Sequence, residues 1–125
     1  MLGLTFKPNT DDMREAPSIT LVTALQDMGA RVRAFDPAGM EQAREILPEV
    51  TFCDGPYCCA EGADGLVIVI EWEQFRALAF RQLKEQMACP IVIDLKNIYS
   101  NDELEQKGFR YVGIGSAGPN RALRL

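Results

Sequence analysis

Apolar residues recur along this chain in two rhythms. Leu66-Val67-Ile68-Val69-Ile70 is an unbroken run, β-branched from its second residue on. Such a run predicts a strand buried on both faces, as in a parallel sheet. Pro90-Ile91-Val92-Ile93-Asp94 repeats the pattern, with proline at the start where no ladder donor is needed. Shorter stretches predict strands over Leu2 to Phe6, Arg31 to Phe35, Val50 to Cys53 and Phe109 to Ile114. Helical spacing fills the gaps. Leu21, Val22, Leu25 and Met28 mark one face, and Gly29 is placed to stop the helix. Asp36 and Pro37 suit the cap and first residue of a helix running to Leu47. Tyr57 to Glu61 allows one turn. Phe75, Leu78, Ala79, Leu83 and Met87 form another stripe, and Asp102 to Lys107 a short helix before Gly108.

Strict alternation of strand and helix with short links predicts an α/β fold. Its expected form is a doubly wound, mainly parallel, six-stranded Rossmann-like sheet in three layers. The chain has 125 residues, 47% of them hydrophobic, enough for one domain over residues 1–125. It contains no linker, repeat or low-complexity segment. A sheet of this kind takes its ligand beyond the carboxyl ends of the strands. Attention therefore falls on the residues that follow each strand.

Charge narrows the ligand. Thirteen basic residues stand against 18 acidic ones, a formal net charge of −5. That argues against a nucleic-acid surface but leaves room for one small cationic pocket. No apolar run approaches the ~20 residues of a membrane-spanning helix. The first residues lack the pattern of a secretory signal, so a cytoplasmic protein is expected. Histidine is absent, which removes His-containing zinc sites, histidine bases and Ser-His-Asp triads. The four cysteines, at 53, 58, 59 and 89, lack paired zinc-knuckle spacing. They read as buried or partly buried free thiols in a reducing compartment.

The loop after the first predicted strand carries the densest chemistry. Lys7 offers a point charge for a phosphate, and Pro8 stiffens the turn. Asn9, Thr10, Asp11 and Asp12 can fold the loop by side-chain to backbone bonds. Arg14 presents a planar fork for phosphate or carboxylate. The competing reading is a solvated loop with acids near a helix N-terminus. Asp36, at the end of the second strand, either holds a ribose or caps the next helix. Glu71, Trp72 and Glu73 follow the most buried strand. Trp72 is either a cleft wall or interface anchor, or ordinary packing. Lys96 and Asn97 occupy the same edge, and Lys96 is a second candidate phosphate contact. Residues 113–118 spell G-x-G-x-x-G, but Pro119 and the short remaining tail leave no helix for a dinucleotide fingerprint. A glycine-rich exit from the last strand is expected there.

The stretch GLTFKPNTDDMREAPS, residues 3–18, resembles the start of the C-terminal, nucleotide-sugar-binding domain of the UDP-glucose 6-dehydrogenases. Ala34-Phe35-Asp36-Pro37, Tyr57 with Glu61-Gly62-Ala63-Asp64, Glu71-Trp72 with Phe75, and Asp94-Leu95-Lys96-Asn97-Ile98-Tyr99 extend the likeness. Gly108-Phe109-Arg110-Tyr111 and Gly113-Ile114-Gly115 close it, so it spans nearly the whole chain in order. Asn9-Thr10 and Glu71-Trp72 favour the UDP-glucose branch over GDP-mannose or UDP-N-acetylmannosamine relatives.

The resemblance implies oxidation of UDP-glucose to UDP-glucuronate with NAD, in an enzyme whose N-terminal domain holds NAD and supplies the catalytic cysteine. It implies a homodimer built on a long helix between the halves. It places Phe6, Lys7 and Lys96 at the UDP-sugar and points Arg14 toward the NAD of the other domain. It implies no catalytic residue and no metal ligand within this chain. Met1 stands where a strand residue is expected, as in a domain excised from a longer enzyme. Ile70, Ala79 and Ser116 depart from the family pattern, where threonine, aspartate and a basic residue are expected. Those departures motivate an alternative, a stand-alone nucleotide-binding or interaction module without catalysis; a second alternative is the domain of a related GDP-mannose or UDP-N-acetylmannosamine dehydrogenase.

Overall fold

A computed structural model describes residues 1–5, 7, 9, 11–13 and 16–113. The elements run α1 (Pro17–Asp27), β1 (Arg33–Ala34), α2 (Met40–Ile46), β2 (Thr51–Phe52), α3 (Pro56–Ala60), β3 (Leu66–Ile68), a 3-10 turn (Glu73–Ala77), α4 (Phe80–Gln86), β4 (Ile91–Asp94), α5 (Asn101–Gln106) and β5 (Arg110–Gly113). All strand pairs are parallel. One sheet holds β1 and β2, with Arg33 opposite Thr51; the other runs β3-β4-β5, with Ile68 opposite Asp94 and Asp94 opposite Gly113.

Leu2 stands between the two sheets and bridges in parallel to Phe35 on one side and Ile68 on the other. Its N–H donates to Val67 O at 2.8 Å, and its carbonyl accepts from Val69 N at 2.9 Å. The predicted first strand, Leu2 to Phe6, is thus reduced to a bridge. Gly3 explains the shortening. Its φ of 94° leaves the extended region, and a Cβ there would stand 2.7 Å from Ile70 Cβ. The chain turns where only glycine fits.

Alternate strand residues feed two apolar clusters. Leu66, Ile68, Phe35 and Val92 join the first, with residues of α3, α4 and α5; Ala34, Val69 and Met1 join the second, with residues of α1 and α2. Full burial of a Leu or Ile side chain contributes about 1.5–3 kcal/mol, and Leu2, Leu4, Leu66, Ile68 and Ile70 are all fully buried.

The helix ends follow the sequence closely. Gly29 has a φ of 93°, Ala30 N donates to Leu25 O, and Gly29 N donates to Gln26 O. This is the left-handed stop expected of glycine. Ser100 caps α5 by accepting from Glu103 N at 3.1 Å. Two expectations fail. Met28 is 85% exposed rather than part of the buried face of α1, because it lies at the C-cap, beyond the last turn. The stripe from Phe75 to Met87 is two elements, since Leu78 and Ala79 are non-helical and α4 begins at Phe80.

Candidate functional site

The residues that follow the strands gather at one edge of the parallel sheets, as the fold requires. Lys7 follows the Leu2 bridge, Asp36 follows β1, Glu71 and Trp72 follow β3, and Lys96 follows β4.

Lys7 is exposed, and the backbone beside it is held from within. Thr5 Oγ1 lies 3.0 Å from Lys7 O and 3.3 Å from Asp36 Oδ2, with one proton for the two acceptors. Asn9 adopts a φ of 64°, a left-handed conformation that asparagine tolerates. Asp11 accepts from Gln42 Nε2 at 3.0 Å, which ties the loop to α2. Phe6 and Arg14, the other candidates of this loop, lie outside the described residues. So does the G-x-G-x-x-G run from its second position on.

Asp36 is fully buried. Its Oδ2 accepts from Leu4 N at 2.8 Å, Thr5 N at 3.2 Å and Trp72 Nε1 at 3.3 Å. Its Oδ1 accepts from Ala38 N and Gly39 N, both at 2.8 Å. A carboxylate so engaged has no oxygen left for a ribose, so that expectation is corrected. The cap reading is corrected in part. The side chain does bind the N–H groups two and three residues on, as a cap would. The residues it holds form a turn, and α2 starts only at Met40 after Gly39. Trp72 is half-buried, packs against both apolar clusters and spends its indole N–H on Asp36, so packing is its observed role.

Lys96 is partly exposed and stands 4.0 Å from Glu71 Oε2. An ion pair this exposed adds at most about 1 kcal/mol, little enough for an incoming phosphate to compete with it. The Lys96 backbone is fixed by Asp94, also fully buried, whose carboxylate accepts from Lys96 N and Tyr99 N, each at 3.0 Å. Asn97 takes the left-handed φ of 55° this turn needs. Tyr111 Oη lies 2.8 Å from both Asp94 Oδ2 and Tyr99 O. Tyr99 in turn donates its hydroxyl to Phe75 O. Burial, with Asp94 alongside, pushes both tyrosine hydroxyls above their ordinary pKa.

The structure therefore joins Lys7 to Trp72 through Asp36, and Lys96 to Glu71 directly. Sequence reasoning singled out Asp36 but missed its contacts to Leu4, Thr5 and Trp72, and missed the parts of Thr5 and Asp94 in this edge. The available signal was an aspartate closing a buried apolar strand, where an unpaired carboxylate would be costly. Ile70, one of the departures, is a core residue packed on Gly3, and Ala79 is exposed with its N–H on Tyr57 Oη at 2.9 Å.

The thiols separate into two kinds. Cys53 and Cys59 are buried, whereas Cys58 and Cys89 are exposed, contrary to the expectation that all would be at least partly buried. Burial raises the Cys53 thiol and pushes Cys59 up to about 12. A nucleophile needs the opposite shift. No group of three metal-ligating side chains occurs among the described residues. An open depression of about 560 Å³ is lined by Phe80, Arg81, Lys84, Glu85 and Lys107, beside α4 and the end of α5 and not at Lys7 or Lys96. The described residues do not fit a dinucleotide. Gly3-Leu4-Thr5 opens no helix after the Leu2 bridge, and the acid at the ribose position is fully engaged.

The model of the UDP-glucose/GDP-mannose dehydrogenase family, UDP binding domain, matches residues 1–101. The chain is 55% identical over 115 residues to a UDP-glucose 6-dehydrogenase of Rhizobium meliloti (strain 1021), covering 92% of this chain and 26% of that one. It is 44% identical over 119 residues to a UDP-glucose 6-dehydrogenase of Pseudomonas aeruginosa, covering 90% and 26%. Among solved structures it is similar to an NDP-N-acetyl-D-galactosaminuronic acid dehydrogenase from Methanosarcina mazei Go1, with a TM-score of 0.79 and 31% identity, covering 92% and 24%. A UDP-glucose dehydrogenase from Pyrobaculum islandicum gives 0.65 and 36% identity, covering 74% and 20%. The chain spans about a quarter of the length of the relatives it matches.

Proposed function

We propose a function that proceeds from one fact: this chain belongs to the UDP-glucose/GDP-mannose dehydrogenase family, as its UDP binding domain. It serves as the C-terminal, UDP-sugar-binding domain of an NAD-dependent UDP-glucose 6-dehydrogenase that turns UDP-glucose into UDP-glucuronate. Lys7 and Lys96 receive the diphosphate, Phe6 lies against the uridine, and Arg14 reaches toward NAD held on an N-terminal domain. That domain, a second copy of the enzyme in a homodimer, and a cytoplasmic setting complete the reading. The sheet is one continuous, six-stranded layer between two layers of helices, with the Leu2 segment as its short central strand. Residues 1–125 act as a single domain within the longer enzyme.

The observation that carries this reading is the family match over residues 1–101, which takes in both Lys7 and Lys96. The physical contribution is positioning and charge. Two ammonium groups at the strand ends hold the diphosphate, so that the sugar meets the reactive groups of the other domain in a fixed pose. Calorimetric titration with UDP, UDP-glucose and GDP tests it, alongside an assay for NAD reduction. The chain binds both uridine nucleotides, binds GDP at least tenfold more weakly, and reduces no NAD alone. Preference for GDP, or turnover by the purified chain, contradicts the reading.

A further inference from the structure

We infer that Asp36 is a positioning residue for the diphosphate: its buried carboxylate sets the loop that carries Lys7 and links it to the Trp72 turn. This rests on the function proposed above. The carboxylate gathers donors from three separate segments at the ligand edge: Leu4 N and Thr5 N, Ala38 N and Gly39 N, and Trp72 Nε1. Buried backbone N–H groups must find acceptors, and after Gly3 the chain has left the sheet ladder. Asp36 supplies the acceptor that the ladder no longer can. From it the connection to Lys7 is short, since the Thr5 hydroxyl sits between Asp36 Oδ2 and Lys7 O.

Shape enforces the same arrangement. A Cβ on Gly39 would stand 2.3 Å from Thr5 Cγ2 and 3.5 Å from Asp36 Oδ1. Glycine at 39 therefore lets the turn after β1 close against Thr5. On the other side, Trp72 adjoins Glu71, which pairs with Lys96. One carboxylate thus bears directly on the Lys7 loop and, through Trp72, on the neighbour of Lys96. Its five N–H contacts fall on both oxygens, so both must accept, which an amide with one oxygen cannot match.

A double-mutant cycle on this chain, read by calorimetric titration with UDP, tests the inference. Asp36→Asn weakens UDP binding tenfold or more, and Lys7→Ala does the same. In the Lys7→Ala background Asp36→Asn adds less than twofold, because the loop then carries no charge to place. Thr5→Val keeps the side-chain shape, removes the link to Lys7 O, weakens binding about threefold, and loses its effect in the same background. If Asp36→Asn does not fold, the Thr5→Val cycle decides alone. A merely structural Asp36 gives multiplying effects in the cycle, and that result overturns the inference while leaving the function intact. Absence of UDP binding by the wild-type chain overturns both.

Discussion

Two aspartates, Asp36 and Asp94, occupy matching places in this fold and solve different problems. Each closes a strand region at the ligand edge, each is fully buried, and each stabilises the backbone near a candidate phosphate-binding lysine. Asp94 works mostly on its own loop, accepting from residues two and five positions ahead and adding the Tyr111 hydroxyl. Asp36 also accepts locally, from Ala38 and Gly39, but its remaining donors lie 31 to 36 residues away in sequence. The Lys96 loop is thus shaped largely by its own residues, whereas the Lys7 loop depends on tertiary contact. Loss of Asp94 should loosen one turn. Loss of Asp36 should uncouple three segments.

The largest expected effect follows. Asp36→Ala strands buried main-chain donors, each costing about 1–3 kcal/mol when unsatisfied, so the chain loses on the order of 3–5 kcal/mol. The midpoint of urea unfolding reads this directly, and a loss near zero would break the contrast. Asp94→Ala comes next, at roughly 2 kcal/mol, because it frees fewer donors and the Tyr111 hydroxyl keeps Tyr99 O as an acceptor. A cost equal to that of Asp36→Ala would show that the two sites are energetically alike.

Alkaline pH sharpens the comparison with a smaller effect. The donors on Asp36 are chiefly amides and an indole, which do not titrate, whereas Asp94 faces Tyr111. The folded values of Tyr99, Tyr111 and Cys59 all lie above their ordinary ones. Such groups lend stability that is complete below the ordinary value and fades as pH climbs toward the folded one. Stability should therefore fall from about pH 9, where Cys59 begins, and more steeply above pH 10, the ordinary tyrosine value. Cys59 alone accounts for roughly 1 kcal/mol by pH 10. Tyr111→Phe should flatten the fall above pH 10 in denaturation series. An unchanged slope would separate Tyr111 from the Asp94 side of the contrast.

The sequence was most readable where burial is continuous. The apolar runs at 66–70 and 90–94 mark β3 and β4 because strands covered on both faces carry apolar residues at successive positions, with Asp94 entering only at the end of β4. Gly29 and Gly108 were readable as stops, since a left-handed residue after a helix favours glycine. The first strand was overread, because the apolar run continues past Gly3 while the backbone does not. Spacing alone also merged the 3-10 turn with α4, since Phe75 and Phe80 reach one cluster from separate elements. At the ligand edge, local pattern picked out Lys7 and Lys96 as candidate phosphate contacts from residue type and position. It did not reveal Asp36 as a hub, since Leu4, Thr5 and Trp72 are distant in sequence and meet it only after folding. A short polar residue such as Thr5 gives no local sign that its hydroxyl will lie between a buried carboxylate and the Lys7 carbonyl.

The central claim is that the ammonium of Lys7 receives the diphosphate of a uridine nucleotide. Titration of wild-type chain and Lys7→Ala with UDP, at one fixed low salt concentration, tests it most directly. A charge-assisted contact contributes about 1.5–3 kcal/mol, so the variant should bind at least tenfold more weakly while unfolding at the wild-type urea midpoint. Equal dissociation constants for the two proteins would contradict the account.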